Sequence, residues 1–91
     1  MQTTITRTIN GSGEMRCAIS TGQFEIVISR NSDWQAEESK LKPAYVSWFG
    51  YGSNNNEVLT WFIAAMRYAQ AEAANMDANI FKAQPKQVIE L

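Results

Sequence analysis

A chain of 91 residues is long enough for one folded domain with a modest core. Its 45% hydrophobic content excludes a disordered polymer, and its net charge of −1 gives no field that would draw it to nucleic acid or an anionic membrane. Histidine is absent and Cys17 is the single cysteine, which excludes an intramolecular disulfide, a Cys/His zinc site and the commonest general base.

The first thirty residues alternate. Ile5 and Ile9 share a face opposed to Thr4, Thr6 and Thr8, and Asn10-Gly11-Ser12-Gly13 signals a turn. Met15, Cys17 and Ile19 alternate with Arg16, Ala18 and Ser20. After Thr21-Gly22, Phe24, Ile26 and Ile28 alternate with Glu25, Val27 and Ser29. These are three strands of an antiparallel meander. A three-residue loop at 11–13 sets Ile9 opposite Met15, Arg7 opposite Cys17 and Ile5 opposite Ile19. A two-residue loop at 21–22 sets Ile19 opposite Phe24, Cys17 opposite Ile26 and Met15 opposite Ile28. Both loops bring the apolar residues of all three strands to one face. Arg7 falls on that face too, at a sheet edge or against a carboxylate.

Residues 31–43 form a polar connector with three carboxylates, Asp33, Glu37 and Glu38. Ser32-Asp33-Trp34-Gln35 has capping-box spacing, which allows a short helix from Asp33 to about Lys40, with a solvated loop as the alternative. The segment from Ala44 to Tyr51 is rich in β-formers and predicts a fourth strand, with Val46 and Trp48 on one face and Tyr45, Phe49 and Tyr51 on the other. Gly50 and Gly52 close it. Asn54 with Glu57 three residues on marks a helix start, and the helix is predicted from about Asn55 to about Lys82, stopped by Pro85. Val58, Phe62, Ala65, Ala69, Ala73, Met76 and Ile80 fall on one stripe, bordered by Leu59 and Met66. Residues 84–91 are a short last strand or a tail. The expected architecture is a single α+β domain over 1–91: a three-stranded antiparallel meander plus a fourth strand, with one long C-terminal helix packed on one sheet face.

No phosphate-binding loop is present, the lone thiol lies on the core face with no histidine to activate it, and no arrangement of acids or amines suggests catalysis. The expectation is therefore a protein without enzymatic activity, metal or cofactor. The N-terminus lacks an apolar core of signal-peptide length, and the longest apolar run, 58–66, is short of a membrane span. Both point to the cytoplasm and to no membrane contact. Trp61 and Tyr68 fall seven residues apart on the helix side opposite the apolar stripe, together with Glu57 and Glu72. Large aromatics on a wet face point to a contact surface. The competing reading is that the Trp34 segment or the C-terminal tail folds over them. Tyr45, Phe49 and Tyr51, on the outer sheet face, raise the same question. Aromatics on a sheet can stack nucleic-acid bases, but only Arg16 joins them there, which disfavours that partner. The expected partner-binding set is Trp61, Tyr68, Glu72, Tyr45, Phe49 and Tyr51.

The segment AYVSWFGYGSNNNEVLTWFIAAMRYAQAEA, about a third of the chain, resembles small proteins of phages and prophages that end in a Trp-bearing strand, a Gly-Ser turn and a long alanine-rich helix. Here these are Val46 and Trp48, Gly52-Ser53, and Ala64, Ala65, Ala69 and Ala73. Phe49 to Tyr51 is more aromatic than that pattern. In size and plan the chain is also similar to phage-encoded inhibitors, anti-CRISPR proteins among them, which bind a host defence complex and block it. This is a likeness of type and carries no residues over. It implies a bacterial host protein or complex as the partner and the cytoplasm of the host cell as the location. The alternatives are a self-assembling homodimer or oligomer and a single-stranded nucleic-acid-binding protein.

Overall fold

The computed structural model describes residues 1–30, 45–49 and 56–91, and for 45–49 it gives the backbone and its pairing. The elements run β1 (Gln2–Ile9), β2 (Met15–Ser20), β3 (Glu25–Arg30), β4 (Tyr45–Phe49), α1 (Asn56–Asp77) and β5 (Gln84–Glu90). The strands form one antiparallel sheet in the order β4-β3-β2-β1-β5. The α+β plan is as the alternation and helical periodicity predict, and residues 84–90 resolve as a fifth strand on β1. The expected helix at 33–40, together with Trp34, Leu41, Gly50, Tyr51, Gly52 and Asn54, lies outside the described residues.

The first hairpin has the expected register, with Ile5 opposite Ile19, Arg7 opposite Cys17 and Ile9 opposite Met15. Its loop is locked by Asn10. The Asn10 carboxamide oxygen accepts the N–H groups of Ser12 and Glu14 at 3.0 and 2.9 Å, and Gly13 sits at φ 82°, a conformation glycine enters without steric cost.

The second hairpin departs from the two-residue loop. Ile19 pairs with Ile26, Cys17 with Ile28 and Met15 with Arg30. The Thr21 hydroxyl decides this. It accepts the N–H groups of Gln23 and Phe24, while the Thr21 N–H donates to the Phe24 carbonyl at 3.0 Å. The turn therefore spans Thr21 to Phe24, and the pairing slips by two residues. A slip of two keeps every side chain on its face, so the apolar surface survives.

β4 pairs with β3 so that Val46 lies opposite Ile28 and Trp48 opposite Ile26, in the helix-facing row. Tyr45 and Phe49 lie opposite Ser29 and Glu25, in the outer row. The helix crosses β2, β3 and β4, and its closest packing is on β3. Between helix and sheet lie Ile5, Cys17, Ile19, Phe24, Ile26 and Ile28, met by Val58, Trp61, Ala65, Ala69 and Met76, with Phe81 closing one end.

The helix stops at Asp77, well before Pro85. Asn79 adopts the left-handed conformation (φ 58°), its N–H donates to the Met76 carbonyl at 3.1 Å, and the Ile80 N–H reaches back to Asn75 at 3.0 Å. These two bonds make a Schellman cap. Ile80, expected in the core stripe, is exposed just past it. Arg30, buried at the end of β3, donates from Nη1 to the Met76 carbonyl, which sets a cation at the negative end of the helix dipole.

Asparagine tolerates the left-handed conformation and β-branched residues do not. Asn79→Gly is expected to leave the urea midpoint unchanged or raise it, while Asn79→Val should cost about 1–2 kcal/mol.

Candidate interaction surface

The side of the helix that faces the sheet determines what the protein shows to solvent. The buried row is Val58, Trp61, Ala65, Ala69, Glu72 and Met76. Its centre is rolled by roughly 40° from the predicted stripe. Phe62 and Ala73 move to the border, and Trp61 and Glu72 turn inward. Trp61 is 1% exposed, so the expectation that it anchors a partner on the wet face is corrected. The physical reason is a hydrogen bond. The indole Nε1 donates to the Thr3 hydroxyl at 2.9 Å, and that hydroxyl donates in turn to the Met1 carbonyl at 3.1 Å. An indole whose N–H has a partner can bury its whole apolar body, and Trp61 does so beside Phe24, at 6.2 Å between ring centroids.

Glu72 is the second correction. It was expected among the contact residues, and it is buried against Arg7. Arg7 Nη2 and Nε both approach Glu72 Oε1, at 2.6 and 2.8 Å. Arg7 Nη1 donates to the side-chain oxygens of Gln87 at 3.0 Å and Gln84 at 3.3 Å. The hydrogen bond to Glu72 raises the guanidinium pKa above its ordinary value, against the opposing effect of burial. A cleft of about 180 Å³ opens beside the pair, with Asn75, Phe81 and Lys82 on its walls. Of the two readings of Arg7, a sheet edge or a carboxylate, the structure shows the carboxylate, Glu72.

Cys17 lies on the core face as expected. Burial, with a smaller push from the Glu72 charge, lifts its thiol pKa to about 12. The thiol is thus a core hydrophobe and a poor nucleophile.

The roll leaves a different apolar surface outside. Leu59 and Ile63 are 51% and 59% exposed. Phe62 and Met66, half-buried against the core, complete the cluster at i, i+3, i+4 and i+7. Tyr68 is 41% exposed, which favours the open of its two readings, but it stands roughly 140° around the helix from Ile63, on the opposite flank. In the sequence Leu59 borders the predicted stripe, and Ile63 belongs to neither the stripe nor the expected contact set. Their signal is the i, i+4 pair itself, which becomes a surface once the helix is rolled.

The outer sheet face divides in two. Ala18, Val27 and Ser29 are buried, while Thr4, Thr6, Arg16, Ser20, Glu25 and Lys86 line an open groove of about 470 Å³. Arg16 is half exposed and lies 3.8 Å from Glu25. Tyr45 and Phe49 belong to this face by backbone register, and their side chains, like Tyr51, lie outside the described residues.

Among the described residues no group of His, Cys, Asp and Glu is arranged to hold a metal ion, and no helix is long and apolar enough to cross a membrane. No family model matches this sequence, and no curated protein or solved structure is significantly similar to it.

Removing one partner of a buried pair strands the other charge. Glu72→Ala should cost about 3–5 kcal/mol in urea unfolding, whereas the double variant Arg7→Met/Glu72→Met should recover most of that loss. The Cys17 thiol should react with a disulfide reagent only as fast as the protein unfolds. Its folded-state pKa lies above the ordinary 9.0, so its contribution to stability is complete below pH 9 and is lost as pH rises towards about 12. A pH series of thermal midpoints, with Cys17→Ala as reference, measures that contribution.

Proposed function

We propose that this chain is a non-catalytic protein-binding module that presents one flank of its helix to an apolar groove on a larger protein. The observation that carries the reading is the Leu59, Phe62, Ile63 and Met66 cluster, whose spacing is that of helices that dock into grooves. Two exposed branched aliphatics beside a half-buried aromatic and a methionine offer a desolvatable centre, and Asn56, Arg67 and Gln70 around them supply a polar rim. The inward-facing Glu72 and Cys17 are engaged in packing and pairing, which supports a binding role over a catalytic one. In its concrete form the partner is a bacterial protein complex, and the chain acts as a phage-type inhibitor by covering one of that complex's working surfaces. This form rests on the likeness in size and plan to such inhibitors.

The test is capture from bacterial lysate with wild-type protein, a Leu59→Asp/Ile63→Asp variant and a Tyr68→Ala variant, after circular dichroism has checked the fold of each. The expected result is a complex retained by wild type and Tyr68→Ala and lost by the helix double variant, with affinity reduced at least about a hundredfold. Retention by the double variant sinks the helix-flank reading, and loss with Tyr68→Ala alone moves the surface to the opposite flank.

A further inference from the structure

β5 is a seven-residue strand at the edge of the sheet, and six of its seven residues are exposed. Such an edge offers unpaired backbone groups to another strand. The phase of those groups follows from the end of the ladder. The Met1 and Leu91 backbones exchange both of their hydrogen bonds, Leu91 N–H to the Met1 carbonyl at 2.9 Å and the Met1 amino group to the Leu91 carbonyl. Hydrogen-bonded and non-bonded pairs alternate along an antiparallel ladder. Ile89, opposite Thr3, is therefore the next residue bonded to β1, and Glu90 and Val88 turn their N–H and C=O groups outward.

Val88 lies opposite Thr4, so its side chain stands on the outer face, where it is 55% exposed. Lys86 borders the groove on that same face, beside Thr4 and Thr6. The sequence Lys86-Gln87-Val88-Ile89-Glu90 is thus self-complementary in charge about Val88; within one chain Glu90 Oε1 lies 3.1 Å from the Met1 ammonium, and the side chain stays 77% exposed.

We infer that β5 pairs antiparallel with β5 of a second copy of this chain, with Val88 on the two-fold axis and Lys86 of each copy opposite Glu90 of the other. The two central hydrogen bonds join Val88 N–H and C=O to their equivalents. The two valines meet on the outer face, and an ion pair closes each side. Only registers that match outward-facing residues are open to this edge. A two-fold at position 86 sets lysine against lysine, and one at position 87 leaves both lysines opposite valine. Charge selects position 88. The helix lies over β2, β3 and β4 and not over this edge, so a second β5 added there extends the sheet without meeting the helix. The bulge sets Pro85 and Lys86 of β5 against Thr6 alone and blunts the strand there, so the regular ladder runs from Gln87 to Glu90 and Lys86 stands at its end. The inference is independent of the helix-flank reading, because it uses no residue of that cluster.

The edge alone is a small interface, so dimerisation is expected between about 10 µM and about 1 mM. Sedimentation equilibrium of the full chain over that range reads it directly. Val88→Pro removes an outward N–H and leaves the bonds to β1 intact, so it should give a folded monomer by circular dichroism. Lys86→Glu turns two attractive cross-strand pairs into repulsive ones and should weaken the dimer roughly ten- to hundredfold, as should Glu90→Lys. Mixing these two single variants restores both pairs and should yield a heterodimer of wild-type affinity. A wild type that stays monomeric to about 1 mM overturns the inference, and so does a Val88→Pro protein that dimerises like wild type. Should Val88→Pro fail to fold, the mixing experiment decides: no gain in mass on mixing overturns the inference.

Discussion

The ion pair between Arg7 on the sheet and Glu72 on the helix organises this molecule. Arg7 shares its face with Ile5 and stands where the core meets the cleft, with its side chain 13% exposed. Glu72 is the acid that reaches it, from the second-last turn of the helix. Once Glu72 points inward, helical periodicity carries Trp61, Ala65 and Ala69 inward too, because they lie in the same buried row. The indole then completes the arrangement on Thr3. Two polar contacts, one near each end of the helix, fix its roll about the sheet. Apolar packing on alanines alone would leave that roll weakly specified, since a methyl group fits almost equally well at several angles.

The same cluster extends to the edge of the sheet. Arg7 Nη1 holds Gln84 and Gln87, so one guanidinium ties β1, β5 and α1 together. β5 is otherwise poorly anchored, with most of its side chains in solvent. Its register on β1 rests on backbone bonds, on these two glutamines and on the partly buried Ile89 and Leu91. A strand with so little apolar burial would be expected to fray. The bonds from Arg7 to Gln84 and Gln87, with the Met1 ammonium 3.1 Å from Glu90, add to the backbone ladder in holding it in line.

What the sequence disclosed follows this division between apolar and polar determinants. The β1–β2 register was legible because loop length and hydrophobic parity both demand it. The β2–β3 register was legible only to within two residues. Parity cannot distinguish a slip of two, and the deciding contacts belong to the Thr21 hydroxyl, which the apolar pattern does not record. The helix end was hidden for a similar reason. Pro85 is the obvious stop, but Asn79 accepts a left-handed backbone and ends the helix earlier. The Val58–Ile80 stripe, taken as the core row, puts Trp61 and Glu72 on the far side of the helix. Either becomes a core residue only when its partner, Thr3 or Arg7, is placed across from it. Those partners are 58 and 65 residues away in the chain. Tyr68 has no such partner row beneath it and stays outside, as its position suggested.

The exposed cluster on the helix is a direct consequence of this roll. A helix with apolar residues on more than one flank cannot bury all of them against a single sheet. Burying the Trp61–Glu72 side therefore exposes Leu59 and Ile63. The alternative roll, with Phe62 and Ala73 at the centre, would bring Leu59 nearer the sheet but lift Glu72 and Trp61 away from it. Arg7 would then lie on the inward row without its carboxylate, and a stranded buried charge costs several kcal/mol. Covering Leu59 would return about 2 kcal/mol. The chain resolves the conflict in favour of the charge, and the apolar flank is what remains for another molecule to cover.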